Sequence, residues 1–162
     1  MSIKARQEDP PAYNVLIKDE DAIIARALQL LEKRVNGASV LDSPQRVREY
    51  LCIRAAGLEH EQFSCLWLDQ HHRPLEYEVM FRGTLAQTSV YPREVAKSAL
   101  AHNAAAVIFT HNHPTGHPEP SRADELLTHA LKSALQLIDV RVLDHIITGA
   151  HRAVSFAERG LL

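Results

Sequence analysis

Residues 105–124 read A-A-V-I-F-T-H-N-H-P-T-G-H-P-E-P-S-R-A-D, and the rest of the chain is best understood from this stretch outward. Ala105 to Thr110 is a short apolar run, the pattern of a strand buried on both faces. It leads directly into His111 and His113. Alternate residues of an extended chain project to the same face, so two imidazoles at i and i+2 can converge on one ion. They stand where a buried strand ends, a usual place for a site in such sheets. Pro114, Gly116, Pro118 and Pro120 stiffen and bend a loop that can return the chain to the same point. Ser121 and Asp124 then open a helix, and Asp124 in its first turn can supply an oxygen. Two nitrogens, one carboxylate oxygen and an open fourth position describe a catalytic zinc site. The open position holds water, whose pKa the metal lowers toward about 7. Histidine–carboxylate sets also accept other first-row metals.

Plainer readings apply to the same residues. Ser121-x-x-Asp124 is also a helix-capping box, with Asp in place of the usual Glu or Gln, and the two roles are compatible. His117 reads as an exposed loop residue, and His71 and His72 as exposed turn residues. His102, His129 and His151 have no obvious partner. His145, in Asp144-His145-Ile146-Ile147-Thr148, reads as a neighbour of the ligands or as a satisfied core histidine, with the core reading favoured.

Before this stretch, Ile23, Ile24, Ala27, Leu28, Leu30 and Leu31 recur at helical spacing, with Gly37 as a stop. Ser43 is a good N-cap with Pro44 at the first helical position, and that helix should stop by Gly57. The period then changes. Gln62 to Asp69 is expected as a strand, Asp69 to Pro74 as a turn, and Leu75 to Phe81 as the second arm of a hairpin. Gly83 breaks the run, Thr84 to Val90 is expected to be extended, and Pro92 opens a helix through Leu100. After the central stretch, a helix should run from Ser121 to about Ile138. Val140 to Thr148 should be a strand, Gly149 a turn, and Val154 to Phe156 a last extended piece. This order predicts an α/β (α+β) fold, a mixed central sheet flanked by helices. Residues 1–41 are expected to be a short, partly helical N-terminal extension, and residues 42–162 the domain.

Composition limits the function classes. The 162 residues are 46% apolar and 23% charged, which suits one soluble domain. No run approaches the roughly 20 apolar residues of a membrane helix, and Met1 to Pro11 is polar, so a cytoplasmic protein is expected. Cys52 and Cys65 are too few for a disulfide framework and lack C-x-x-C spacing; both should be buried free thiols. Eighteen basic and 20 acidic residues give a formal charge of −2, which does not support nucleic acid as the partner.

H-x-H, seven residues, Ser, two residues, Asp resembles the metal motif of the JAMM (MPN-plus) metalloproteases. The longer pattern His-Asn-His-Pro-Thr-Gly, with Pro120-Ser121 and Asp124, resembles the RadC-type JAB domain. So do Gly83-Thr84, Pro92-Arg93-Glu94, Asn103-Ala104-Ala105-Ala106, Asp144-His145-Ile146-Ile147 and Ser155-Phe156-Ala157-Glu158-Arg159-Gly160. This resemblance spans about residues 42–162 and leaves residues 1–40 outside. It implies a JAMM-like, cytidine-deaminase-like fold and one Zn2+ per chain on His111, His113 and Asp124. It also implies a peptide or protein substrate whose peptide or isopeptide bond is hydrolysed by metal-activated water. The family base is a glutamate just before an apolar strand. Glu61 matches that description in Leu58-Glu59-His60-Glu61-Gln62-Phe63, with Glu59 as the fallback. Ser121 matches the serine that stabilises the oxyanion; Asn112 and Arg93 are given no catalytic role.

Other functional classes fit the sequence less well. A DNA-repair-associated role rests only on the name of the RadC branch, since no basic run with interleaved aromatics occurs. A non-catalytic interaction module is disfavoured because every proposed ligand is present. A base deaminase would need H-x-E and P-C-x-x-C, and both are absent.

Overall fold

Ser43 caps the helix predicted to begin there: its hydroxyl accepts from the Arg46 amide, and Pro44 takes the first helical position, where no amide bond is lost. The structure, a computed structural model, describes residues 20–30, 43–83, 89–150 and 152–162. Helix α1 covers residues 20–30, and α2 runs Pro44–Ala55. Gly57 (φ +76°) then turns the chain in a left-handed conformation suited to glycine.

Strand β1 (Gln62–Leu68) and β2 (Pro74–Arg82) form the expected antiparallel hairpin. Helix α3 is Pro92–Ala101, β3 Ala106–Asn112, α4 Arg122–Gln136 and β4 Arg141–Thr148. The last elements are β5 (Ala153–Ser155) and α5 (Phe156–Arg159). The sheet order is β2-β1-β3-β4-β5; only β3 and β4 run parallel, joined by the loop and helix α4. The predicted mixed α+β sheet is therefore what the chain forms.

Alternation along the strands sorts side chains into two cores. Phe63, Cys65, Trp67, Val107 and Phe109 face α3 and α4, packing on Val95, Ala99, Leu131 and Leu135. Leu66, Leu68, Ala106 and Ile108 face α2, against Val47, Tyr50 and Leu51. Strand β3 is buried along its whole length, which explains its unbroken apolar sequence. This central position puts its C-terminal end, His111 and Asn112, at the floor of the loops that follow.

Two expectations need adjustment, the last extended piece and the burial of Cys52. The final piece is not extended through Phe156. Ser155 caps a short helix by accepting from the Glu158 amide, and Gly160 ends it at φ +68°. In α1, Ile23, Ile24 and Leu30 are exposed although their spacing is amphipathic. Cys65 is buried as expected, but Cys52 is half-buried; both are free thiols. Residues 84–88 of the predicted extended piece, and His151, lie outside the described residues, while Ser89 and Val90 are irregular. No helix among the described residues is long and apolar enough to cross a membrane.

Candidate metal centre

Three side chains meet above the end of β3. One ligand atom each of His111, His113 and Asp124 lies within 4.8 Å of the others, the only such group of three or more His, Cys, Asp or Glu among the described residues. His111 Nε2 and His113 Nε2 are 3.0 Å apart. Asp124 Oδ1 is 3.3 Å from His111 Nε2, and Asp124 Oδ2 is 3.8 Å from His113 Nε2. Bonds of about 2.0–2.2 Å in a tetrahedral set imply edges near 3.3 Å, so the spacing fits a zinc-sized ion.

Hydrogen bonds at the far side of each imidazole decide which nitrogen is offered. The Thr128 hydroxyl donates to the Asp124 carbonyl oxygen at 2.6 Å, so it is left to accept from His145 Nδ1, also at 2.6 Å. Burial pushes the pKa of His145 well below its ordinary value, so this ring is neutral. With its proton on Nδ1, His145 presents a lone pair at Nε2, which accepts from His111 Nδ1 at 2.8 Å. That leaves a lone pair on His111 Nε2. His113 Nδ1 donates to the His117 carbonyl oxygen at 2.8 Å, which leaves a lone pair on His113 Nε2 as well. These tautomers follow from the bonding network. Two nitrogen lone pairs and a carboxylate thus face one another with no donor among them. Such a set could hold a cation, and each ring carries the supporting bond typical of a metal ligand.

Asp124 serves the helix and the cluster together. Its Oδ2 accepts from the Ser121 amide at 2.7 Å and the Ser121 hydroxyl at 2.6 Å, and the Ser121 oxygen accepts from the Asp124 amide at 3.2 Å. The capping box and the ligand position coexist, as the sequence allowed. Burial alone would raise the Asp124 pKa, but the His111 ring beside it and the bonds from the Ser121 hydroxyl and amide outweigh it and hold the carboxyl well below its usual range.

The loop between the histidines and α4 is fixed by close backbone contacts. His113 N–H donates to Thr148 O, Gly116 N–H to His113 O, and Ala150 N–H to Gly116 O. Gly116 (φ +83°) makes the turn. A Cβ at Gly149 would overlap the Gly116 carbonyl oxygen and lie 2.8 Å from Pro118 Cδ, so only glycine permits this approach. Arg159 of α5 holds Glu119 from outside with a forked ion pair.

Both candidate glutamates precede β1. Strands β1 and β3 pair through Phe63↔His111. The ladder ends at that pair, and Glu61 stands two residues before Phe63, just ahead of β1. Neither lies in the strand; Glu59 is exposed and Glu61 half-buried. The favoured core reading of His145 needs correcting: it is fully buried and also bonded to His111. Its signal was its place on the strand that pairs beside the apolar run, with Phe109 opposite it. Thr128, one helical turn after Asp124, was missed. His102 has partners too, bonding Glu78 at 3.1 Å and stacking on Trp67. Arg93, His117 and His129 are exposed.

The comparisons with known proteins agree with this arrangement. The profile of the RadC-like JAB domain matches residues 41–161. A UPF0758 protein of Leptothrix cholodnii is 58% identical over 141 residues, covering 87% of this chain and 64% of that protein. Similar proteins of Nitrosomonas eutropha and Pseudoalteromonas translucida are 55% and 49% identical over 141 residues, each covering 87% of this chain and 63% of theirs. The chain thus spans somewhat less than two thirds of these relatives' length. The likeness to these relatives is longer than the domain matched at 41–161 and reaches into the residues before it. With the matching profile, the close relatives and the His–His–Asp cluster at the end of the central strand, the chain belongs to the RadC-like JAB domain family.

Proposed function

We propose that this chain is a zinc-dependent hydrolase that cleaves a peptide or isopeptide bond, with residues 42–162 as the working domain. The observation that carries this reading is the acceptor-only cluster of His111, His113 and Asp124, the one such site among the described residues. When bound, the cation supplies Lewis acidity, polarising a carbonyl and lowering the pKa of water. His111, His113 and Asp124 would hold it, and their outward bonds keep them pre-aligned.

Glu61, which directly precedes β1, takes a proton from the attacking water and later delivers one to the leaving amine. Neither histidine can serve this purpose while its free nitrogen is a ligand. Ser121 is exposed at the helix start, and its hydroxyl can turn from Asp124 to donate to the developing oxyanion. The formal charge of −2 favours a peptide over a polyanion as substrate.

A panel of peptide and isopeptide substrates, turned over by wild type and by Glu61→Gln, tests the proposal. Glu61→Gln should fold, keep its metal and lose activity by roughly 100- to 10,000-fold. If Glu59→Gln is inactive and Glu61→Gln is not, the base is Glu59. Full activity in both variants would rule out the mechanism.

A further inference from the structure

Asn112 lies between His111 and His113 in sequence, but alternation places it on the other face of β3, where it is 6% exposed. A buried carboxamide is costly unless its polar atoms are matched. Its Oδ1 accepts from the Gln62 amide at 2.9 Å, and its Nδ2 donates to the His60 carbonyl oxygen at 2.9 Å. Those two groups flank Glu61. On the opposite edge, the Glu61 carbonyl oxygen accepts from the Gly83 amide at 2.8 Å.

There is a physical reason for a side chain in this place. Beyond Phe63↔His111 the backbone ladder between β1 and β3 stops. The His113 amide turns to Thr148 of β4, and the following turn closes on the His113 carbonyl. Strand β3 thus leaves β1 in order to bring its second histidine into the cluster. The carboxamide of Asn112 spans the gap and supplies the acceptor and donor that the next backbone pair would have supplied.

We infer that Asn112 is the positioning residue of the base: it clamps the peptide groups on either side of Glu61 and so fixes that carboxylate's place beside the metal cluster. The inference rests on the proposed function, in which Glu61 is the base. Without the clamp, the two bonds from Asn112 to the peptide groups flanking Glu61 are lost. A displacement of about 1 Å is enough to cost on the order of 100-fold in a reaction that depends on placement.

The test uses the cobalt(II)-loaded chain and acetohydroxamate, followed by visible absorption. On binding a cation, the hydroxamic acid loses its O–H proton, and a neighbouring carboxylate takes it. Cobalt stoichiometry and melting temperature are measured in parallel. Glu61→Gln and Asn112→Leu should each bind cobalt as wild type does and bind acetohydroxamate at least tenfold more weakly. The double variant should be no weaker than Glu61→Gln alone, because Asn112 acts through Glu61. Asn112→Asp keeps the acceptor for Gln62 and loses the donor to His60; it should weaken the hydroxamate at least threefold. Wild-type hydroxamate affinity in Asn112→Leu, with weak binding in Glu61→Gln, would overturn the inference and leave the proposed function standing. Wild-type affinity in Glu61→Gln would instead strike the proposed function. Loss of cobalt or of folding in both Asn112 variants would also overturn the inference, assigning Asn112 to holding the fold alone.

Discussion

The chain carries two places where a pair of histidines meets an aspartate, and only one is arranged for a metal. In the β1–β2 turn, Asp69 accompanies His71 and His72; at the end of β3, Asp124 accompanies His111 and His113. Asp69 spends its oxygens inside its own turn. It accepts from the His71 amide at 2.8 Å, the Arg73 amide at 2.9 Å and Arg73 Nε at 2.7 Å. Adjacent side chains do not share a face, and His72 sits at φ +60° with its Nε2 facing an Arg141 guanidinium nitrogen at 3.0 Å. Both rings are exposed. At the other end of the sheet, both rings are anchored through Nδ1 and both Nε2 atoms turn toward a carboxylate. Composition is the same in the two places; the difference lies in which nitrogen is tied and what the carboxylate is left to face.

Removing Asp124 should break this difference most severely. Asp124→Ala deletes a proposed ligand and one half of the capping box. Zinc affinity, measured by competition with a chelating dye, should fall by more than the roughly 10- to 100-fold expected for a supporting group. The melting curve should show a further loss of about 1–2 kcal/mol from the cap. Unchanged zinc affinity would equate Asp124 with Asp69.

Loss of an anchor should act more mildly. Thr128→Val keeps the shape and removes the acceptor that sets the His145 tautomer; His145→Phe removes the bond to His111. Either should weaken zinc by roughly 10- to 100-fold and leave stoichiometry intact at saturating metal. Wild-type affinity in both would show that the anchoring is incidental.

Acid sharpens the contrast further in the metal-free protein. The unfolded chain protonates His145 near pH 6.5, whereas the buried ring resists protonation until lower pH. Its contribution to stability is therefore complete above about pH 6.5 and is lost as pH falls below that value. Asp124, with a depressed pKa, contributes above about pH 4 and loses its contribution as pH falls further. Denaturant titrations between pH 7 and 5 should show a shallower slope in His145→Phe than in wild type. Equal slopes would contradict the buried, neutral assignment. The smallest effect belongs to the turn: His71→Ala with His72→Ala should leave zinc binding unchanged and shift stability by no more than about 0.5 kcal/mol.

Much of this was legible before the fold. The apolar run into His111, the proline-rich loop and Ser121-x-x-Asp124 located the cluster because strand alternation and helix capping are local rules. Pro44 and Pro92 marked helix starts for the same reason. Residues that act across the sheet were harder to read. His145 joins His111 only through the parallel pairing of β3 with β4, and Asn112 reaches a segment 50 residues away. The short helix after Ser155 was available in the sequence, since Ser155, Glu158 and Gly160 spell its cap and its stop. The amphipathic spacing in α1 correctly predicted a helix, but spacing alone does not say what its apolar face meets.

The most direct test is elemental analysis of protein purified after zinc loading and removal of free metal. Wild type and the variant carrying both His71→Ala and His72→Ala should each retain about one zinc per chain, and His113→Ala should retain almost none. Equal zinc in wild type and His113→Ala would contradict the account.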